Sequence, residues 1–464
     1  MTSSHIGIDA TSVAGRPGGH DDDLLDLIGI GFGPSNLALA IAVTEQAERD
    51  PGRALRVAFL ERQPRFGWHR GMLLDDATMQ ISFLKDLVTQ RNPASDFSFV
   101  TYLHRCGRLT DFINHKTLFP LRIEFHDYLE WAAHRVAHLV DYGQTVVDVR
   151  PVLDEGVIVA FAVTSQSADG TVTVRRARDV VVATGLSPRL PAGVVTGPRV
   201  WHNLDILSRV DAMPADPTPR RFVVVGAGQS AAEVVDHLHR TYDDAEVCAV
   251  FARWGYTPAD DTPYANRIFD PDAVDVYFDA DDRVKQMLFD YHRNTNYSVV
   301  DADLINDLYR REYQERVQGR QRLRMMNASR VTAMAADHAG VDVEVEFLPT
   351  GERTPLRADA VVYATGYTPG DPGGVLGTAG TLLARRVDGA PVVERDYRLV
   401  LEAPADAAVY LQGATEATHG IASTLLSNIA IRSGEIVDSI LARRAAPAVT
   451  APRRTLPAAV ASVS

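Results

Sequence analysis

Short apolar runs that end in glycine turns recur along this chain, and each turn leads into apolar residues at helical spacing. Leu24, Leu25, Leu27 and Ile28 make the first run, which reads as a buried strand. Gly29 and Gly31 open a tight turn after it, and Ser35 to Val43 is apolar at helical spacing. The next strand is expected at Arg56–Leu60, ending on Glu61. The same order returns in FVVVGAGQSAAE at Phe222–Glu233, with a following strand at Glu246–Phe251. Between the two units lie a long irregular stretch, a helix expected around Glu124–Val140, and a β-rich segment around Gln144–Thr184. That segment closes in ARDVVVATGLSP, and ADAVVYATGYTP at Ala358–Pro369 repeats its ATG turn. Taken alone, either is a buried strand and a turn; as a pair they mark points where the chain crosses between the two units. One strand–helix–strand unit interrupted by another is the pattern of an α/β fold.

The glycines carry the chemistry. In LIGIGFGPSN, Leu27–Asn36, the turn through Gly29, Gly31 and Gly33 lets backbone approach a pyrophosphate, which would sit on the free N–H groups that open the helix. Pro34 takes the third place of the fingerprint, tolerated because a first helical turn leaves that N–H unpaired anyway, and Ser35 follows it. Glu61 is placed to accept from a ribose hydroxyl pair, although TEQAERDPGRA makes the spacing longer than usual. In the second unit Gly226, Gly228 and Ala231 hold the fingerprint positions, with Gln229 and Ser230 between them. No acid ends its following strand; Arg253 stands there, which suits a 2′-phosphate better than a bare ribose. One such turn can merely join a strand to a helix, and Arg253 alone can be a solvated surface residue. Two copies on one chain argue for two cofactors, FAD at the first and NADPH at the second. The fold class is then α/β with two dinucleotide-binding (Rossmann-like) domains, the NADPH domain inserted in the FAD domain.

Composition agrees. A chain of 464 residues, 46% hydrophobic and 23% charged, buries a large core and is long enough for two or three domains. The formal net charge of −13 argues against nucleic acid or an anionic membrane as partner. No apolar run approaches a bilayer span, and MTSSHIGIDATSVAGRPGGHDDD lacks the regions of a signal peptide, so a cytoplasmic protein is expected. Cys106 and Cys248 are far apart and in no CxxC motif, which argues against a disulfide framework, a metal knuckle or the dithiol of a flavin disulfide reductase. Residues 1–23, with their acidic run Asp21–Asp23, and 444–464 are expected to be disordered tails.

Four segments are long and unusual enough to carry a resemblance. FLERQPRFGWHRGMLLDDATMQISFLKDLVTQRNP (Phe59–Pro93), DFINHKTLFPLRIEFHDYLEWAA (Asp111–Ala133), NTNYSVVDADLI (Asn294–Ile305) and THGIASTLLSNIAIRSGEI (Thr418–Ile436) closely resemble the microbial N-hydroxylating monooxygenases. Those enzymes oxidise the side-chain amine of L-ornithine or L-lysine for siderophore synthesis. The resemblance runs from about Leu24 to Arg443. It implies a FAD-binding domain over 24–198 and 356–443, a NADPH-binding domain over 199–264 and 318–355, and a small helical substrate-binding segment over 265–317. It implies that Glu61–His69, with Trp68 and His69, and Gln80 line the flavin, and that Thr424, Leu425 and Leu426 contact it. Gly228 to Ala231 and Arg253 would contact NADPH, and Asn296, Tyr297 and Ser298 would hold the oxidised nicotinamide cofactor. Lys85, in FLKDL, would bind the substrate carboxylate, a role that suits a point cation; without the resemblance it reads as a solvated lysine. Asn266 and Asn296 match asparagines that hydrogen-bond the amino acid, and Ser427 a serine near its α-amino group. The family commonly has Glu after the first asparagine, whereas Arg267 stands here, a change of two charge units beside a site for a cationic amine.

The chemistry so implied is hydride transfer from NADPH to FAD, capture of O₂ by reduced flavin as a hydroperoxide, and attack of the neutral amine on its distal oxygen. No side chain is then a covalent or acid–base catalyst; the protein positions and protects. A closed pocket favours the neutral amine, whose reference pKa is about 10.4. L-Ornithine leads L-lysine because DFINHKTLFPLRIEFHDYLEW and NYSVVD look more like the ornithine branch. Another small amine or amino acid, a Baeyer–Villiger oxygenase and a non-catalytic NADPH-sensing flavoprotein are the alternatives, and a pure sensor has no use for Lys85, Asn266, Asn296 and Ser427. Family members are often tetramers, so a homo-oligomer is expected. Glu130, His134 and His138 have metal-binding spacing, but this chemistry gives a metal no role and none is expected. Trp201, Trp254, Tyr256 and Tyr297 can stack on cofactor rings, though core packing is the commoner fate.

Overall fold

The computed structural model describes residues 24–213 and 219–445. The tail expected over 1–23, with Asp21–Asp23, and the part of the other beyond Ala445 lie outside the described residues.

Strand Leu24–Ile30 lies between Val57–Glu61 and Val172–Val182, parallel to both. Val140–Tyr142 extends the sheet beyond Val57–Glu61. The outer edge of Val172–Val182 is shared: its first half pairs antiparallel with Val157–Ser167, its second half parallel with Ala408–Leu411. Gln144–Asp154 completes the meander. The helix after the first glycine turn, Pro34–Arg49, outruns the expected apolar stretch because TEQAER continues in good helix formers until Pro51 stops it. Against it packs the last helix, Ile429–Ala445, through Ile429, Ile436, Val437 and Ile440 in a core shared with Leu39, Ile41 and Val43.

The second sheet is wholly parallel, in the order Leu323–Met326, Glu246–Val250, Arg221–Val225, Ala360–Tyr363, Val200–His202. Its central strands are buried on both faces, which is why they read as unbroken apolar runs. A three-stranded antiparallel sheet, Ser329–Ala336, Val341–Phe347 and Glu352–Ala358, covers one side. Leu186–Pro188 and Tyr367–Pro369, which follow the two ATG turns, pair antiparallel, so both crossings between units run side by side.

Four expectations need correction. The return to the first unit was expected at 356, but Ala360–Tyr363 sits inside the second sheet between Arg221–Val225 and Val200–His202; an AVVY run buried on both faces needs two strand neighbours. Helix Ala302–Val317, expected within the substrate segment, packs Leu304, Ile305 and Leu308 into the second core. The helix expected to Val140 stops at Arg135, so His138 falls in the following turn and Glu130, His134 and His138 share no single helical face. Arg444, expected in the tail, is helical and pairs with Asp26 at 2.5 Å.

Candidate active site between the two nucleotide units

Each fingerprint is built against the ATG turn of its own sheet. Gly31 has φ +83°, and a Cβ there would lie 2.6 Å from the Ala183 carbonyl oxygen. Gly226 has φ +150°, with the Ala364 oxygen 2.3 Å from its would-be Cβ. Glycine is therefore required twice, for conformation and for space. Gly29 is closed by the Phe59 ring, 2.2 Å from an added Cβ. Gly33 differs, with nothing within 4 Å of an added Cβ, and it opens Pro34–Arg49 without any side-chain cap. An open cradle beside uncapped N–H groups fits a pyrophosphate. Gly228 likewise opens Gln229–Thr241 uncapped, with only Ser298 near, its Cα 3.5 Å from an added Cβ. Both cradles fit a dinucleotide.

Around the first cradle, buried Glu61 accepts from Phe32 N at 2.6 Å and Gln63 N at 2.8 Å; each carboxylate oxygen keeps a lone pair free for a ribose hydroxyl. Ser35 is held by residues that pattern reading missed. Gln412 Nε2 donates to Ser35 O at 3.1 Å, and Arg432 Nη2 to Ser35 Oγ at 3.2 Å. Arg432 is fully buried, donates also to Gln412 Oε1 and Ser423 O, and burial pulls its pKa down. In the sequence Arg432 is one polar residue in a helix, with nothing to signal burial. Trp68 packs on the first core, and its ring meets His69 edge-on at 4.8 Å. His69 has φ +49°, and burial, aided by the nearby Arg122 charge, lowers its pKa to about 4. Gln80 is exposed. Thr424 ends one 3₁₀ turn, Ile421–Thr424, Leu426 begins the next, Leu426–Asn428, and Leu425 joins them.

On the second cradle Ser230 is half-buried and Ala231 fully buried in the helix, while Gln229 Oε1 accepts from Asp301 N at 2.8 Å. Exposed Arg253 donates to Ser298 O at 2.7 Å, and no ion pair holds it among the described residues. Ser298 has φ +57°. Asn296 and Ser298 are exposed, whereas the Tyr297 hydroxyl donates to Glu416, a carboxylate that burial shifts upward in pKa. Of the other aromatics, Trp201 is buried in the second core, Tyr256 packs on Phe251 at 4.9 Å, and Trp254 is exposed.

Phe269 lies among the residues expected to bind the substrate. Lys85 Nζ lies 5.4 Å above its ring, and burial lowers the pKa of Lys85 against an opposing pull from Asp270. Asn266 is on the same 3₁₀ turn, Ala265–Phe269, its Nδ2 donating to Asp261 O at 2.8 Å. Ile421, Ala422, Leu425 and Tyr297 pack around Phe269. Asn428, with its amide turned to satisfy both ends, donates to Phe269 O at 3.1 Å and so ties in buried Ser427 beside it. Arg267 is exposed, which takes its charge out of the pocket.

Lys85, Asn266 and the Ser427–Asn428 turn thus gather around Phe269, while the exposed Asn296 side chain makes no hydrogen bond with them among the described residues. The sequence model of the L-lysine 6-monooxygenase/L-ornithine 5-monooxygenase family matches residues 23–369. The chain belongs to this family. It is an NADPH-dependent flavin monooxygenase by that membership. It is 38% identical over 419 residues to the L-ornithine N(5)-monooxygenase of Pseudomonas aeruginosa, covering 89% of this chain and 93% of that protein. The solved ornithine N-hydroxylase of Kutzneria sp. 744, with reduced FAD, NADP+ and L-ornithine, is 46% identical with a TM-score of 0.86, over 91% of this chain and all of that one. The L-lysine 6-monooxygenase of Pseudomonas syringae is 32% identical with a TM-score of 0.78, over 90% of this chain and 99% of that one. No helix among the described residues is long and apolar enough to cross a membrane.

Proposed function

We propose that this monooxygenase N-hydroxylates the side-chain amine of L-ornithine, using FAD, NADPH and O₂, toward a hydroxamate siderophore or a related product. The observation that carries this reading is the half-buried Lys85, which has no ion-pair partner among the described residues and stands over Phe269 amid Asn266, Tyr297 and Ser427. A free cation in such a place suits the carboxylate of an amino acid, and a simple diamine brings none. When bound, FAD supplies the oxygen-transfer chemistry after reduction by NADPH. The chain's own residues then hold the amino acid at both ends. Lys85 takes the carboxylate, Asn266 and Asn296 its polar groups, and Ser427 the α-amino end. The apolar packing about Phe269 excludes water and favours a neutral side-chain amine. Residues Asn296 to Ser298 and Arg253 keep the nicotinamide cofactor over the site. The same reading makes the protein a cytoplasmic homo-oligomer, a tetramer by family likeness, acting on a free amino acid.

The test is hydroxylamine formation alongside NADPH consumption by FAD-loaded protein with L-ornithine, L-lysine, putrescine and cadaverine. Product from L-ornithine in preference to the other three is expected. Product from lysine or a diamine alone overturns the substrate, and peroxide alone with all four overturns the activity.

A further inference from the structure

A loop of the first unit is embedded in the core of the second. Met72, Leu74 and Ala77 are buried in one cluster with Ile206, Ala231 and Val235. Gly71 backs so closely on Leu204 that an added Cβ would lie 1.8 Å from its carbonyl oxygen. This loop joins His69 to Gln80, the two ends of it being residues expected to line the flavin.

Arg122, first residue of helix Arg122–Arg135, clamps that loop from the other side. Its Nη1 donates to Met72 O at 3.0 Å and its Nη2 to Thr78 O at 3.3 Å. The same fork closes on Glu233 in a two-pronged bond, 2.8 Å to Oε2 and 2.6 Å to Oε1. Glu233 is buried on Gln229–Thr241, the helix that opens the second cradle. Its Oε1 also accepts from Gln229 Nε2 at 3.0 Å, and Gln229 Oε1 accepts from Asp301 N at 2.8 Å, just beyond the turn of Asn296–Ser298. One unbroken chain of hydrogen bonds therefore runs from the 70–80 loop to Asp301, three residues past Ser298. A planar, two-pronged ion pair fixes angle as well as distance, which a lysine in its place would not do.

Resting on the reading that NADPH reduces a flavin here, we propose that Arg122 and Glu233 are positioning residues that set the register of the nicotinamide over the flavin. They act through the 70–80 loop and through Gln229. Hydride transfer is steeply sensitive to placement, since a shift of about 1 Å costs on the order of 100-fold.

The experiment follows flavin bleaching by NADPH without oxygen, in stopped flow, with the FAD-loaded full chain and its Glu233→Gln and Arg122→Lys variants. Both are expected to lower the limiting reduction rate at least tenfold while the NADPH concentration for half-saturation changes less than threefold. The deuterium isotope effect with 4-deuterated NADPH should be at least as large as in the wild type, and FAD content and Tm should stay close to it. Arg122→Lys keeps the charge and loses the fork, so wild-type reduction by that variant would overturn the proposal. So would a loss confined to NADPH affinity, or one that only tracks loss of FAD or of Tm. If Glu233→Gln does not fold, Gln229→Met, which cuts the chain one link further on and leaves the ion pair whole, carries the readings of limiting rate and isotope effect; its NADPH affinity is not compared, because Gln229 lies in the stretch expected to contact NADPH. A wild-type flavin that NADPH does not bleach overturns the functional reading and this proposal with it, and it shows in the control trace before any variant is compared.

Discussion

Replacing Lys85 with Met tests the substrate reading most directly. Methionine keeps the length and apolar stem, so the packing against Phe269 survives while the charge 5.4 Å above its ring is removed. Burial already depresses the lysine pKa, so the ammonium is held there at some cost, and removing it should not lower stability. What is lost is one charge-assisted bond to the amino-acid carboxylate, about 1.5–3 kcal/mol for a hydrogen bond to a charged group. At about 1.4 kcal/mol per decade that is roughly 10- to 150-fold in kcat/KM for L-ornithine. The carboxylate is remote from the reacting amine, so the contact binds ground and transition states alike and the loss belongs in KM, not kcat. Steady-state hydroxylamine assays over a wide L-ornithine range, with putrescine as the substrate lacking a carboxylate, separate the two. Putrescine turnover should be unchanged or improved. A Lys85→Met variant that loses kcat at saturating ornithine, or loses putrescine turnover to the same degree, would refute the reasoning, because Lys85 would then serve the cofactors or the fold.

Arg253→Ala should raise the KM for NADPH about tenfold at low salt and leave NADH unaffected, the loss shrinking as salt rises because Arg253 is exposed; equal losses with both cofactors would remove the 2′-phosphate from its role. Gly31→Ala and Gly33→Ala should behave oppositely: the first forces a side chain into φ +83° and against Ala183 O, lowering Tm by several degrees, whereas the second meets no protein atom within 4 Å and should spare the apoprotein's Tm while weakening FAD in a fluorescence titration. His419 is held neutral to about pH 4 by burial, against 6.5 when unfolded. Its folded pKa is depressed, so protons favour the unfolded chain, and stability is intact above pH 6.5 and falls toward pH 4 by up to about 3 kcal/mol. Thermal melts of His419→Gln should therefore show a shallower decline over that window than the wild type, and parallel declines would exclude this histidine as the cause.

Glycine turns and apolar runs were legible because each is a local matter. A positive φ beside a crowding carbonyl demands glycine wherever the chain goes, and a strand buried on both faces must be apolar along its length. From these alone come two sheets with parallel centres, two nucleotide cradles, the insertion of one unit in the other, and the pairing of the ATG turns with the crossings. Arg253 follows the strand Glu246–Val250 and bonds to the carbonyl of Ser298, the residue beside Gly228.

Other features depend on residues that meet only after folding. The boundary at 356 failed because a buried AVVY strand carries no mark of which sheet it joins; its pairing with residues 200–202 and 221–225 decides that. Nothing local marks Arg432 as buried, and only the fold closes Ser35, Gln412 and Ser423 around it. The sequence left open whether Arg267 faces the pocket, and a single 3₁₀ turn exposes it while Phe269 on the same turn is buried under Lys85. Arg122 and Glu233, 111 residues apart, have no common local pattern, yet their fork joins the two units. The sequence by itself determined the turns, the strands and the cofactor classes, since those rest on backbone conformation and on burial along one segment. The tertiary structure decided which distant charges are buried together, which face solvent and how the two cradles are aligned, because burial of a polar group is set by neighbours that no local periodicity names.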